Sequence, residues 1–299
     1  MKIRVLFVLL VCFIQPSFAA DNTSTLFGPI DQTSKIIGGV EAAPGAWPWM
    51  AALLHANEPN TYYAQFCSGV LIEKSWVLTA AHCVQGKSAN AIQIAVGAYD
   101  LNNFIGSRTP VKTIIIHPQY NSLSLHNDIA LIELSYPSSI QNISLFSGQS
   151  SGNIPSSLLG RIVTVLGWGL ANTATTWYYP TKLRQVDLPV VEDSYCNDIY
   201  NVDVIPSEFC AGYYFAGKDF CDGDSGGPAV LQVDGKWVHV GIISAGAPCE
   251  YYYGLYGVYT RTSANLQFIK QFVPNVSVTS RTLPPSINLL LLSPEAVNP

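Results

Sequence analysis

From residue 36 to about residue 274 the chain reads as short apolar or alternating runs, among them Val70 to Ile72, Ala91 to Val96, Thr113 to Ile116, Ile129 to Leu134 and Val238 to Ile243. Glycine, proline and asparagine punctuate them. Closely spaced runs of this length, with little 3.6-residue periodicity, predict an all-β barrel or sandwich. One helical face stands out near the end, where Leu266, Ile269, Phe272 and Val273 recur three or four apart and Pro274 stops the pattern. No internal repeat or long linker interrupts this stretch. Its length, about 240 residues, fits one domain or two small barrels sharing a cleft.

The two ends follow other rules. Basic Lys2 and Arg4 precede the apolar run Val5 to Ile14, which closes on the small residues Ser17, Ala19 and Ala20. That order predicts a secretory signal peptide over residues 1–19. The run is far shorter than the roughly 20 apolar residues of a spanning helix. Residues 20–35 lack cysteine and apolar periodicity and read as an exposed propeptide. Residues 36–275 form the candidate domain, and residues 276–299 read as an irregular extension whose leucines, Leu289 to Leu292, lie among prolines. The expected product is secreted and extracellular, with no membrane partner.

Composition agrees with that compartment. Of seven cysteines, Cys12 leaves with the signal. The other six, Cys67, Cys83, Cys196, Cys210, Cys221 and Cys249, are an even set suited to three disulfides, and spacing alone leaves their pairing open. None shows the short spacing of a zinc site, so no metal and no cofactor is expected. Sequons at Asn22, Asn142 and Asn275 are candidate glycosylation sites. A formal net charge of −5 argues against a nucleic-acid partner.

Three groups stand out by their surroundings: His82 in VLTAAHC, Asp128 in NDIALIEL and Ser225 in CDGDSGGP. A lone His, Asp or Ser is usually structural, and His55, His117, His126 and His239 are read in that way. Together, in this order along the chain, the three contexts resemble the trypsin and chymotrypsin family of serine proteases. The resemblance implies two six-stranded antiparallel Greek-key β-barrels, an active site in the cleft between them and a C-terminal helix. It implies Ser225 as nucleophile, His82 as its base and Asp128 as the ionised carboxylate that orients His82. The glycines of Gly223-Asp224-Ser225-Gly226-Gly227 would let the backbone N–H groups of Gly223 and Ser225 form an oxyanion hole. Gly167-Trp168-Gly169 and Gly257-Val258-Tyr259-Thr260 extend the match, and the family's disulfides imply the pairs Cys67–Cys83, Cys196–Cys210 and Cys221–Cys249.

Other family features carry over residue by residue. Lys35-Ile36-Ile37-Gly38-Gly39 resembles the activation site, where an activating protease cuts after Lys35 and the new α-amino group of Ile36 pairs with buried Asp224. Ser244 corresponds to a serine that hydrogen-bonds the triad carboxylate. Asp219 takes the place of the pocket-floor acid that selects Arg or Lys before the scissile bond. Gly246 and Gly257 fit an open pocket mouth. Two departures matter: Phe220 stands where a small residue is usual and points to the alternative of chymotrypsin- or elastase-like specificity, and Ala245 replaces a tryptophan. The implied partners are protein or peptide substrates, the activating protease and protein protease inhibitors.

Two rival readings compete with this one. Gly223 to Gly227 also matches the G-x-S-x-G elbow of α/β-hydrolases, but that fold needs a helix after the serine and a later histidine, and only His239 follows. A catalytically inactive homologue with a binding or regulatory role would keep the fold without the chemistry. Every triad residue is nonetheless present.

Overall fold

The structure is a computed structural model, describing residues 39–148, 158–172, 176–200, 203–214, 218–246 and 255–280. Lys35, Ile36, Asn22, Cys249, the signal peptide, the propeptide and residues 281–299 lie outside the described residues.

A short strand, β1 (Val40–Glu41), enters the domain. The first barrel follows: β2 (Met50–His55), the single turn α1 (Thr61–Ala64), β3 (Gln65–Glu73), β4 (Trp76–Thr79), the single turn α2 (Ala81–Val84), β5 (Ile92–Val96), β6 (Arg108–Ile116) and β7 (Ala130–Leu134). Its strands close in the order β2-β3-β4-β7-β6-β5, all antiparallel. Closure leaves no free edge and gives one continuous interior. Leu53, Leu71, Leu78, Ile94 and Ile132 fill that interior with no solvent exposure. Each such side chain contributes roughly 1.5–3 kcal/mol of burial.

The second barrel draws on β8 (Ser144–Phe146), β9 (Ile162–Gly167), the small hairpin β10 (Ala171–Asn172) and β11 (Trp177–Tyr178), β12 (Arg184–Val191), α3 (Asp193–Tyr200), β13 (Glu208–Tyr213), β14 (Pro228–Val233), β15 (Lys236–Ala245) and β16 (Leu255–Arg261). Six of these strands run β14-β9-β12-β13-β16-β15, and β14 pairs with β15 to close the ring. Val163, Val165, Leu188, Phe209 and Tyr259 form its core. The runs expected at residues 70–72, 113–116 and 238–243 fall within barrel strands, and those at 91–96 and 129–134 do so from Ile92 and Ala130 onward.

The expected helix is α4 (Leu266–Phe272). It leaves the second barrel, yet its buried Phe268 and Ile269 and the following Val273 join the core of the first, with Phe268 edge-on to His117 at 4.8 Å. The extension expected to be irregular is ordered at its start: β17 (Val278–Thr279) runs parallel to β8. Without β17, β8 would be the sheet edge beyond β15, and its Leu145 and Ser147 N–H groups donate to the carbonyls of Ser277 and Thr279. Pairing an exposed edge in this way satisfies backbone groups that periodicity does not reveal. No helix among the described residues is long and apolar enough to cross a membrane.

Candidate active site

His82 lies on α2, the turn that leaves β4, and its position is set by Asp128, two residues before β7. The backbone N–H of His82 donates to Asp128 Oδ1 at 2.9 Å, and its ring Nδ1 lies 2.6 Å from Oδ2. Asp128 is fully buried while the His82 side chain is 26% exposed. One end of the imidazole is therefore fixed in the protein and the other faces the cleft. The Oδ2 atom also accepts from Ser244 Oγ at 2.7 Å, and the Asp128 carbonyl accepts from Thr260 Oγ1 at 3.0 Å. With these donors a buried carboxylate meets its hydrogen-bonding needs. A β-bulge makes the Ser244 contact: register shifts between Ile243 and Ala245 where β15 meets β16, which turns the intervening side chain toward the first barrel.

Ser225 sits in the loop before β14. Its carbonyl accepts from the Ser68 N–H at 2.8 Å, joining the loop to β3. The sulfur of Cys83 lies 3.7 Å from His82 Nε2 and 3.5 Å from the Ser225 carbonyl, so the free side of the imidazole and the serine loop share one neighbour. Cys83 is bonded to Cys67, and a second disulfide joins Cys196 and Cys210. Cys221 is disulfide-bonded too; Cys249, the partner expected for it, lies outside the described residues.

The backbone of this loop is arranged unevenly. The N–H groups of Asp224, Gly226 and Gly227 donate to the carbonyls of Cys221, Ile243 and Asp224. Those of Gly223 and Ser225 have no acceptor among the described residues. Gly223 has φ +97°, a conformation open to glycine and costly for other residues, and its carbonyl is held by Gln65 Nε2 at 2.8 Å. Two neighbouring free donors of this kind can receive a negatively charged oxygen.

Asp224 is fully buried beneath them. Its Oδ1 accepts from the Gly169 N–H at 2.6 Å and its Oδ2 from the Cys221 N–H at 2.9 Å. A β-carbon at Gly167 would lie 1.9 Å from Oδ1, and one at Gly169 would lie 2.5 Å from Oδ2. The flanking glycines of the Gly-Trp-Gly segment therefore make room for this carboxylate. Burial outweighs the two hydrogen bonds and raises its pKa to about 6. Nearby, buried Arg184 donates from Nη2 to the carbonyl of Gly39 at 2.9 Å, and its charge reaches Asp224.

Asp219 and Phe220 precede this loop. Asp219 is 2% exposed and its Oδ1 accepts from the Phe220 N–H at 2.8 Å. Burial pushes its pKa well above the ordinary carboxylate range. Gly246 and Gly257, expected at an open pocket mouth, both lie against the Phe220 ring. A β-carbon at Gly246 would lie 2.9 Å from ring Cζ, and one at Gly257 would lie 2.1 Å from Cε1. Ala245 instead packs beside the Cys196–Cys210 cluster.

His239 is fully buried beside Thr262 Oγ1 at 2.8 Å, with its pKa pushed down to about 3 by burial. That is a neutral core histidine. Strand β14, rather than a helix, follows Ser225, so the hydrolase-elbow reading has neither of its structural requirements. Among the described residues, one cluster brings three potential metal-ligating atoms within 4.8 Å, Cys67, His82 and Cys83. Two of its three atoms are tied up in a disulfide. Gln65 and Arg184 were not predicted, since a lone Gln or Arg carries no pattern in sequence.

Two closed barrels, with the His82–Asp128 pair and the Ser225 loop meeting at Cys83, define a chymotrypsin-fold protein. The family model described as Trypsin matches residues 36–269, and the chain belongs to the trypsin-like serine protease family. It is 34% identical over 260 residues to "Serine protease filzig" of Drosophila melanogaster, covering 83% of this chain and 15% of that protein. It is also 34% identical to "Serine proteinase stubble" of the same organism, over 80% of this chain and 31% of that one. "Tryptase" of Mus musculus is 34% identical, over 83% of this chain and 92% of its own. The chain thus spans well under half the length of the two fly proteins and nearly all of the mouse one.

Proposed function

We propose that the protein is a secreted serine endopeptidase, made as a precursor and activated by cleavage after Lys35. The observation that carries the catalytic part is the shared Oδ2 of Asp128, which meets both His82 Nδ1 at 2.6 Å and Ser244 Oγ at 2.7 Å. Held in this way, His82 takes the Ser225 proton as Oγ attacks the scissile carbonyl. The carbonyl oxygen becomes an oxyanion in reach of the Gly223 and Ser225 N–H groups. His82 then gives its proton to the departing amine, leaving an acyl-enzyme. Water, deprotonated by His82 in turn, attacks that ester and restores Ser225.

The activation step follows from charge. Asp224 is buried with two N–H partners and a pKa raised to about 6, so its ionised form lacks compensation. Gly39, held by Arg184, lies three positions after Ile36 in the chain. Three extended residues reach roughly 10 Å, so a freed Ile36 ammonium can approach the same region. Pairing there stabilises the ionised carboxylate and the Gly223 conformation above it.

The test is the Lys35→Gln variant. We expect it to resist trypsin activation and to stay inactive, whereas wild-type protein gains activity as the cut appears; full activity in the uncut variant refutes the switch. For the residue before the scissile bond, Asp219 argues for Arg or Lys and Phe220 for the non-tryptic alternative. The ring between Gly246 and Gly257 favours the second.

A further inference from the structure

The recess beside Ser225 is bounded by the segment leading from Asp219 to Gly223, by the Ser244 to Gly246 end of β15 and by Gly257 on β16. The first of these runs directly into the free Gly223 and Ser225 N–H groups, and the second carries the serine bonded to Asp128. A side chain on the acyl residue of a substrate held at Ser225 has this recess to enter. Both walls are glycine, and the gap they leave is filled by the chain's own Phe220.

The ring is firmly held. It touches Gly246 and Gly257 on its two sides, packs edge-on against Tyr259 at 5.5 Å, and is 8% exposed. Polar groups lie close by. Asp219 is 2% exposed and is hydrogen-bonded to the Phe220 N–H. Its charge also acts on buried Tyr259, whose hydroxyl has no partner among the described residues. A floor with a buried acid and an unpartnered hydroxyl suits a cationic ligand, yet an apolar ring takes the space beside it.

We propose that Phe220 is the residue that sets the substrate class: its ring closes the recess to Arg and Lys, and the enzyme cleaves after small uncharged residues such as Ala, Ser and Val. This inference rests on Ser225 being the nucleophile. An arginine side chain needs the volume the ring occupies, whereas an alanine methyl ends before reaching it. Replacing the benzyl side chain by a hydrogen or a hydroxymethyl group should uncover the acidic floor and reverse the preference.

The experiment activates wild type, Phe220→Gly, Phe220→Ser and Ser225→Ala with immobilised trypsin. Each is first reacted with diisopropyl fluorophosphate, a small reagent that does not depend on the recess, and adduct formation is read by mass spectrometry. kcat/KM is then measured on matched peptides with Ala, Val, Lys or Arg before the scissile bond. The expected result is at least ten-fold preference of wild type for Ala or Val, and at least ten-fold preference of both Phe220 variants for Lys or Arg. A wild type that labels and prefers Lys or Arg, that labels and cleaves none of the peptides, or labelled variants that keep the wild-type order would each overturn the proposal. Absence of the adduct in wild type would instead count against the serine endopeptidase reading.

Discussion

Ser244 Oγ donates to Asp128 Oδ2 at 2.7 Å, the same oxygen that meets His82 Nδ1. The two residues come from different barrels, so this contact joins the halves of the domain at the carboxylate that orients the imidazole. Ser244→Ala leaves Asp128 with its two His82 contacts. Loss of one hydrogen bond to a charged group, about 1.5–3 kcal/mol, predicts roughly a 10- to 100-fold fall in kcat/KM. Asp128→Asn should cost about 10⁴-fold in kcat through the wrong tautomer. Steady-state kinetics on a single peptide checks both. Equal losses in the two variants would mean that Ser244 acts through folding rather than through Asp128.

Gln65 Nε2 holds the Gly223 carbonyl at 2.8 Å and also reaches the Cys67 carbonyl at 3.2 Å. Its removal frees the Gly223–Asp224 peptide, and with it the backbone of the glycine whose N–H is left without an acceptor among the described residues. We expect Gln65→Ala to lower kcat by up to about ten-fold, the value of one neutral hydrogen bond, with KM nearly unchanged. A change in KM alone would place Gln65 in substrate binding instead.

The buried Asp224 carboxyl gives the uncleaved precursor a characteristic pH dependence. Its pKa is about 3.9 when unfolded and about 6 when folded, so the native state binds the proton more tightly. The protonated form supports the fold below about pH 4, and that support is lost as pH rises through 6. The difference of about two pH units corresponds to on the order of 3 kcal/mol. In the Lys35→Gln background, Asp224→Asn should therefore be the more stable protein above pH 6, and the gap should close near pH 4. Activation should reverse the order, because the Ile36 ammonium then pairs with the carboxylate and not with the amide. Thermal melts of cut and uncut protein across pH 4–8 test this; a pH-independent gap contradicts it.

The Cys67–Cys83 bond spans 16 residues and brackets β3, β4 and the turn bearing His82. Closing a loop of that length is worth about 3 kcal/mol in the chain-entropy account. The Cys67→Ser, Cys83→Ser double variant should unfold at lower denaturant by a corresponding amount. Urea titration gives the value, and an unchanged midpoint would show that the barrel itself supplies the constraint.

Much of this arrangement was legible in the residues. The barrel strands stand out as short apolar runs between turn formers, and His82 and Ser225 through small residues and glycines around a chemical group, Asp128 through the apolar run that follows it. The Gly167-Trp168-Gly169 match acquires its physical reason only in three dimensions, where both glycines make way for Asp224. Ser244 reaches Asp128 through a bulge, and a one-residue register shift cannot be read from alternation. The direction of the Phe220 ring was equally hidden: the two glycines can be read in the sequence, the side chain that lies against them cannot. β17 went unseen because two residues make too short a period and its partner edge lies more than 130 residues earlier.

The reactivity of Ser225 itself tests the mechanism most directly. Protein cut after Lys35 should take up one diisopropyl phosphoryl group, located by peptide mass spectrometry on Ser225. Uncut Lys35→Gln and cut Ser225→Ala should take up none, and cut His82→Ala should react far more slowly. An unlabelled wild-type protein, or label placed on any other residue, would contradict it.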